Sequence, residues 1–311
     1  FVYMIGLGIF VLSVGSYSII PTILFLFIMR TVQGVGWGLS TTAGGTIATD
    51  IIPPKRRGEG MGYFGLSGNL ALAFGPALGL TLAGHISFTS LFLICAALGL
   101  TALLLATQIK YKKVVPPEHQ SVTMKFDIFE KSAIQPALLL FFITVTFGGI
   151  ASFLPLYTEE KNIGGIEAYF LIYALFLMVS RTFAGRLYDQ KGHIVVFLPG
   201  TIMILSAMLL LTWLPSSFVL FVAAALYGLG FGSVQPALQA WAGDKAPSNR
   251  KGMANATFFS FFALGVGIGA MTFGQIAYSF GYNFIYLTSA FSVFLSMTLY
   301  VMLLIRARRL S

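Results

Sequence analysis

The sequence predicts an all-α membrane protein built as two pseudo-symmetric helical bundles. Three observations point there. Of 311 residues, 57% are hydrophobic and 9% charged, against about 25% charged in a soluble domain. The apolar residues gather in ten runs, each near the roughly 20 residues that a spanning helix needs. The chain also repeats itself. Shifted by 194 residues, Gly34, Gly36 and Gly38 fall on Gly228, Gly230 and Gly232, Asp50 on Asp244, Pro53 on Pro247, Arg56 on Arg250, Gly58 on Gly252 and Gly75 on Gly269.

The ten runs lie at about 1–20, 21–50, 59–83, 87–109, 135–157, 166–187, 193–214, 217–243, 252–279 and 282–305. Connectors are short except for 110–134, a polar stretch holding Pro116 and Pro117. That segment divides the chain into a four-helix bundle over 1–109, a cytoplasmic linker over 110–134 and a six-helix bundle over 135–311. Both copies of the repeat have the same orientation, as parallel repeats do. Six helices separate them, so the repeat unit is six helices and the first bundle is short by two. The missing pair is expected ahead of Phe1. The chain begins inside an apolar run with no charged region before it, so it reads as a fragment rather than as a signal peptide.

Net charge is +9, and its placement is a topology signal rather than a nucleic-acid footprint. Alternate connectors hold Lys55, Arg56, Arg57, Lys110, Lys112, Lys113, Lys125, Lys131, Arg186, Lys191, Lys245, Arg250 and Lys251, and the tail adds Arg306, Arg308 and Arg309. The opposite connectors hold Lys161 alone. The positive-inside rule makes the first side, and the C-terminus, cytoplasmic. The single cysteine, Cys95, cannot form an intrachain disulfide.

Several residues stand out against the apolar background. Arg30 lies about nine residues into its run, roughly 13 Å deep at 1.5 Å per residue. A central arginine costs about 2.5–3.5 kcal/mol on insertion scales, so it must meet a partner or a wet cavity. It either ties helices together through backbone carbonyls or senses substrate or a proton site. The glycines that follow it make a face for close helix packing. Pro76, between Gly75 and Gly79, should bend its helix. Asp189 is expected in a glycine-flanked loop after a helix end, where its carboxylate would dock on the helix starting near Gly58 and Gly60 and pair with Arg181 and Arg186. Asp50 and Asp244 are equivalent helix-end acids and expected partners of the basic loops. Gln33, Asn69, Tyr173, Gln235, Gln239 and Asn255 are polar or aromatic positions on apolar helices. They are candidates for a cavity lining, although each alone is more often an interhelical hydrogen bond. The runs at 87–109, 193–214 and 282–305 lack such residues at their middles and read as lipid-facing.

Enzyme chemistry finds little support. "GLSG", Gly65 to Gly68, matches an intramembrane serine protease pattern, but the histidines, His85, His119 and His193, lie in connectors or at helix edges. A serine nucleophile needs a base beside it. No metal motif and no deep acid pair are present.

"RTVQGVGWG", Arg30 to Gly38, resembles motif B of the major facilitator superfamily. "GPALG", Gly75 to Gly79, resembles the motif C of its drug–proton antiporters. Ala71 and Leu80 stand where the fuller motif has glycine. "GRLYDQKG", Gly185 to Gly192, resembles the second-half copy of motif A. The resemblance covers essentially the whole chain, which would run from the third to the twelfth helix, ten of twelve. It implies a secondary active transporter working by alternating access, without a cofactor and with the proton as coupling ion. Arg30, Gln33 and Gly34 would serve coupling, and Gly75, Pro76 and Gly79 a bend controlling leak. Gly185, Arg186, Asp189, Gly192, Arg181, Asp50 and Asp244 would form a cytoplasmic gate. The implied substrate is a small amphipathic organic compound, exported as in multidrug resistance by a monomer in the cell (plasma) membrane, with the lipid bilayer as its surroundings. A sugar or metabolite carrier of the same superfamily, and a non-transporting truncated remnant, are the alternatives. Every acid lies near a helix end, so a mid-membrane proton carrier belongs to the missing pair, or coupling uses the rim acids.

Overall fold

The computed structural model describes residues 1–19, 22–51, 57–109, 129–247 and 250–310. Among them every regular element is helical. The α-helices are α1 Val2–Ser16, α2 Ile23–Ile51, α3 Arg57–Ala83, α4 Phe88–Ala106, α5 Ile134–Glu160, α6 Ile166–Lys191, α7 Ile194–Trp213, α8 Ser217–Lys245, α9 Lys251–Phe280 and α10 Tyr282–Leu310. A 3-10 turn over Lys131–Ala133 precedes α5. Backbone groups in lipid have no water to bond, so a long apolar run must satisfy them within itself, as a helix does.

Each of the ten expected runs holds one of these helices. Among the described residues eight segments are long and apolar enough to cross a membrane, while Val2–Ser16 and Phe74–Ala83 are shorter apolar stretches. Pro76, Pro155, Pro199 and Pro236 lie inside helices without ending them. Glycine is needed where the backbone turns left-handed: Gly165 starts α6, Gly192 closes it, and Gly281 separates α9 from α10, with φ of 96°, 76° and 92°. An L side chain is strained at such angles.

Two boundaries differ from the sequence reading. α6 continues to Lys191, so Asp189 lies in its last turn and not in a loop. The turn comes at Gly192, the residue free to adopt positive φ. The second difference is in the segment read as a linker. Its residues 110–128 lie outside the described set, but Glu130 and Ala133 are buried, and Phe129 packs edge-on against Phe261 at 6.1 Å. Residues 129–134 therefore belong to the second bundle's packing.

Contacts divide the chain into two units, Phe1–Thr123 and Met124–Ser311. In the first, α1 packs on α2 and on α4. A Cβ on Gly36 would come within 2.9 Å of the Gly6 carbonyl oxygen and the Phe10 amide nitrogen, so α1 and α2 touch backbone to backbone there. In the second unit, α5 packs on α9 and α10, α6 on α8, and α7 on α8 and α10. Gly148 and Gly269 bring α5 and α9 together. Hydroxyls of α10 hold α5 as well: Ser292 donates to the Phe142 carbonyl at 2.7 Å and Ser296 to the Leu139 carbonyl at 2.9 Å. Such bonds between membrane helices average about 0.6 kcal/mol.

The repeat is present in three dimensions. α2, α3 and α4 begin at Ile23, Arg57 and Phe88, and α8, α9 and α10 begin at Ser217, Lys251 and Tyr282, each pair separated by 194 residues. The close crossing repeats too. A Cβ on Gly230 would meet the Gly200 carbonyl oxygen at 2.5 Å and the Ile204 amide at 3.1 Å. Gly200 and Ile204 are Gly6 and Phe10 shifted by the same 194 residues. Large apolar side chains of α4, α7 and α10, among them Leu98, Leu104, Ile202, Phe291 and Phe294, are exposed. These are the helices that the sequence marks as lipid-facing.

Candidate functional site

Two arginines sit inside apolar helices, one in each unit, and their surroundings are built alike. α2 begins at Ile23, which puts Arg30 roughly 10 Å along it, shallower than the sequence reading gave. The Arg30 Nη1 donates to Gln33 Oε1 at 3.2 Å, one turn on. The same oxygen accepts from the Tyr17 hydroxyl at 2.8 Å, and the guanidinium lies 5.2 Å from the Tyr17 ring centre. Tyr17 also packs edge-on against Phe92 at 5.3 Å, which fixes its ring. Arg30 thus has partners within the chain. Both are neutral, an amide oxygen and a π face, and the side chain remains exposed.

Arg181 repeats the theme in α6. Its Nη2 donates to Gln235 Oε1 of α8 at 2.6 Å. Tyr173 lies about two turns before Arg181 on the same helix. The Arg181 Nε is buried with no partner, and among the described residues no carboxylate pairs with the guanidinium. Its described partner, Gln235, is one of the cavity candidates.

Packing fixes this cluster. A Cβ on Gly228 would strike the Tyr173 carbonyl oxygen, and one on Gly232 would strike the Ser180 hydroxyl and the Leu177 carbonyl. α6 and α8 therefore touch along the two turns that lead up to the Arg181–Gln235 bond. The Tyr173 ring lies 5.6 Å from that of Tyr227, whose hydroxyl bonds Thr146 at 2.9 Å. Tyr169 and Tyr286 are fully buried, and their hydroxyls, with that of Tyr173, have no partner.

The remaining sequence candidates are dispersed. A Cβ on Gly34, Gly75, Gly79 or Gly185 would meet nothing within 4 Å. Pro76 is half-buried in an uninterrupted α3. The side chains of Asp50, Asn69, Arg186 and Asp189 lie outside the described residues. Gln239 Nε2 donates to Asn255 Oδ1 at 2.8 Å, an interhelical bond between α8 and α9. Asp244 accepts from the Tyr188 hydroxyl of α6 at 2.6 Å. Its described partner is a phenol rather than a basic loop, because the α8 and α6 ends meet side by side.

That end of the second unit carries a network the sequence reading missed. Arg250 Nε pairs with Glu130 Oε2 at 2.6 Å, and Glu130 also caps the 3-10 turn through Ser132. Lys245 Nζ donates to Gln135 Oε1 at 2.5 Å and lies over the Trp241 ring at 4.8 Å. His193 stacks on the same indole at 4.3 Å and its Nδ1 bonds the Tyr300 hydroxyl at 2.7 Å. Burial, and then the Lys245 charge, push the His193 pKa below its ordinary value. No group of three or more metal-ligating side chains occurs among the described residues.

Comparison with known proteins fits this architecture. The family model of the Major Facilitator Superfamily matches residues 1–270 and 170–311. An uncharacterised MFS-type transporter of Methanocaldococcus jannaschii is 26% identical over 96% of this chain and 81% of its own length. The staphylopine export protein of Staphylococcus aureus is 21% identical over 84% of this chain and 69% of its own. Multidrug resistance protein 3 of Bacillus subtilis is 34% identical over 36% of this chain and 21% of its own. Among solved structures, a POT family transporter superposes with a TM-score of 0.77 at 15% identity, covering 100% of this chain and 82% of that one. A bacterial homologue of the lysosomal transporter Spinster gives 0.68 at 15% identity, covering 97% and 80%. With its repeated helix crossings and its apolar spans, the chain belongs to the major facilitator superfamily, a multi-pass membrane transporter of small molecules and not an enzyme.

Proposed function

We propose that this transporter exports small amphipathic organic compounds in exchange for protons, by alternating access, from the cell (plasma) membrane with its C-terminus in the cytoplasm. The observation that carries the reading is Arg30. Its charge is inside an apolar helix, and its described partners, Gln33 and Tyr17, are neutral. A guanidinium so placed favours the ionised form of an acid brought beside it, which links proton release to the movement that brings the two together. Similarity to a staphylopine export protein and a multidrug resistance protein supports the outward direction. The asymmetry of lysine and arginine between alternate connectors supports the orientation.

The test is transport in proteoliposomes carrying the full chain, with a pH gradient and a fluorescent amphipathic dye. Dye movement should require the gradient, stop on addition of an uncoupler, and fall about tenfold or more in Arg30→Ala. Dye movement that ignores the gradient would overturn proton coupling.

A further inference from the structure

Among the described residues, α6 carries three buried donors without a hydrogen-bond partner. Arg181 brings a permanent positive charge and spends one N–H on Gln235 Oε1. Its Nε is buried and unpaired, as are the hydroxyls of Tyr173 and Tyr169. Tyr173 is only 3% exposed, Tyr169 is fully buried and Gln235 is 9% exposed. A buried polar group without a partner is costly, and a buried cation without a counter-charge more so. Arg181 itself is only partly covered, so its guanidinium can still be approached. What the cluster lacks is an anion with several lone pairs. A carboxylate fits best, because its two oxygens match the planar fork of an arginine and can accept from a phenol as well.

We propose that Arg181, Gln235 and Tyr173 seat the carboxylate of a transported organic anion, which narrows the substrate class to amphipathic compounds bearing an acid group. The word substrate here rests on the transport reading above; the binding site does not. Arg181 supplies the charge, Gln235 holds the guanidinium in place from α8, and the Tyr173 hydroxyl donates to the bound carboxylate.

The experiment is equilibrium binding to the purified full chain with no proton gradient, using 1-naphthoate and its neutral amide, 1-naphthamide. Naphthoate should bind at least about tenfold tighter than naphthamide, and Arg181→Gln should erase that preference. Tyr173→Phe should weaken naphthoate binding about threefold or more. Gln235→Glu keeps the shape but supplies an internal carboxylate. It should abolish naphthoate binding, so the proposal stays testable if Arg181→Gln does not fold. Lys161→Gln, at an exposed connector cation outside the cluster, should leave the preference intact. Overturning results are equal binding of acid and amide, no binding of either, a preference that survives Arg181→Gln or Gln235→Glu, or one lost in Lys161→Gln instead. Chloride displacing naphthoate as well as acetate does would assign the seat to an inorganic ion and overturn the substrate class. A chain that binds naphthoate through Arg181 yet shows no proton-driven transport would overturn the proposed function alone.

Discussion

Gly36 and Gly230 hold equivalent places in the two units and do the same thing: each lets its helix cross a neighbour with backbones in contact. Gly34 and Gly228 are just as equivalent in sequence and behave differently. Gly228 lies against Tyr173 and Leu177 of α6, whereas a Cβ on Gly34 would meet nothing within 4 Å. The same contrast separates Gly38 from Gly232, which faces α6, and Gly75 from Gly269, which faces α5. The four helices of the first unit correspond to α7 through α10. The glycines that differ are those whose counterparts touch α5 or α6. A conserved-looking small face therefore says that a helix can approach, and only the fold says which helix does.

Substitutions can break this comparison. The largest effect is expected at Gly228, where an added methyl meets backbone on the facing helix and the helices must separate. Gly228→Ala should cost on the order of 3 kcal/mol. Gly34→Ala should be neutral or favourable by up to about 1 kcal/mol, since alanine suits a helix better than glycine. Thermal unfolding in detergent compares them, and equal losses at both would dissolve the distinction. Next come Gly36→Ala and Gly230→Ala, which should each cost about 2 kcal/mol, because their crossings match. A large loss at one and none at the other would break the equivalence. Glu130→Gln should be milder, about 1 kcal/mol, because its partner Arg250 is 37% exposed and solvent screens the pair.

The smallest effect concerns His193, which stacks on Trp241 and bonds Tyr300. Its folded pKa lies below the ordinary 6.5, so the unfolded chain takes up the proton first as pH falls. The stability tied to neutral His193 is full above pH 6.5 and is lost on acidification below it. His193→Gln should flatten the dependence of melting temperature on pH in that acid range. An unchanged slope would show that His193 is not the titrating group.

The spans and the repeat were legible because both are one-dimensional: an apolar run is long or it is not, and an offset is constant or it is not. Contacts between distant helices were less so. Arg181 stands five residues before Arg186 and was drawn into the motif there, but helix rise carries it away from that end. Its partner Gln235 could be picked out as polar in an apolar run, while the pairing needed α6 to be set against α8. Tyr17 falls near the end of the first apolar run, where nothing marks it as the ring beneath Arg30. Glu130 was hidden in a stretch dominated by prolines and charges, although a carboxylate just before an apolar run is an ordinary helix-start signal. Gly6 and Gly200 obey the repeat offset and could have been found by extending it backwards.

The constant offset between α2–α4 and α8–α10 has a genetic side. Across these segments the two copies are in step at the start of every helix, so their differences are differences of residue rather than of length. A crossover between the copies at the DNA level would keep the reading frame and the timing of every turn. It could exchange a helix with an intramembrane arginine for one with alanine at that place. Such a chain can gain or lose a charged position in one recombination event, without any loop having to be refitted.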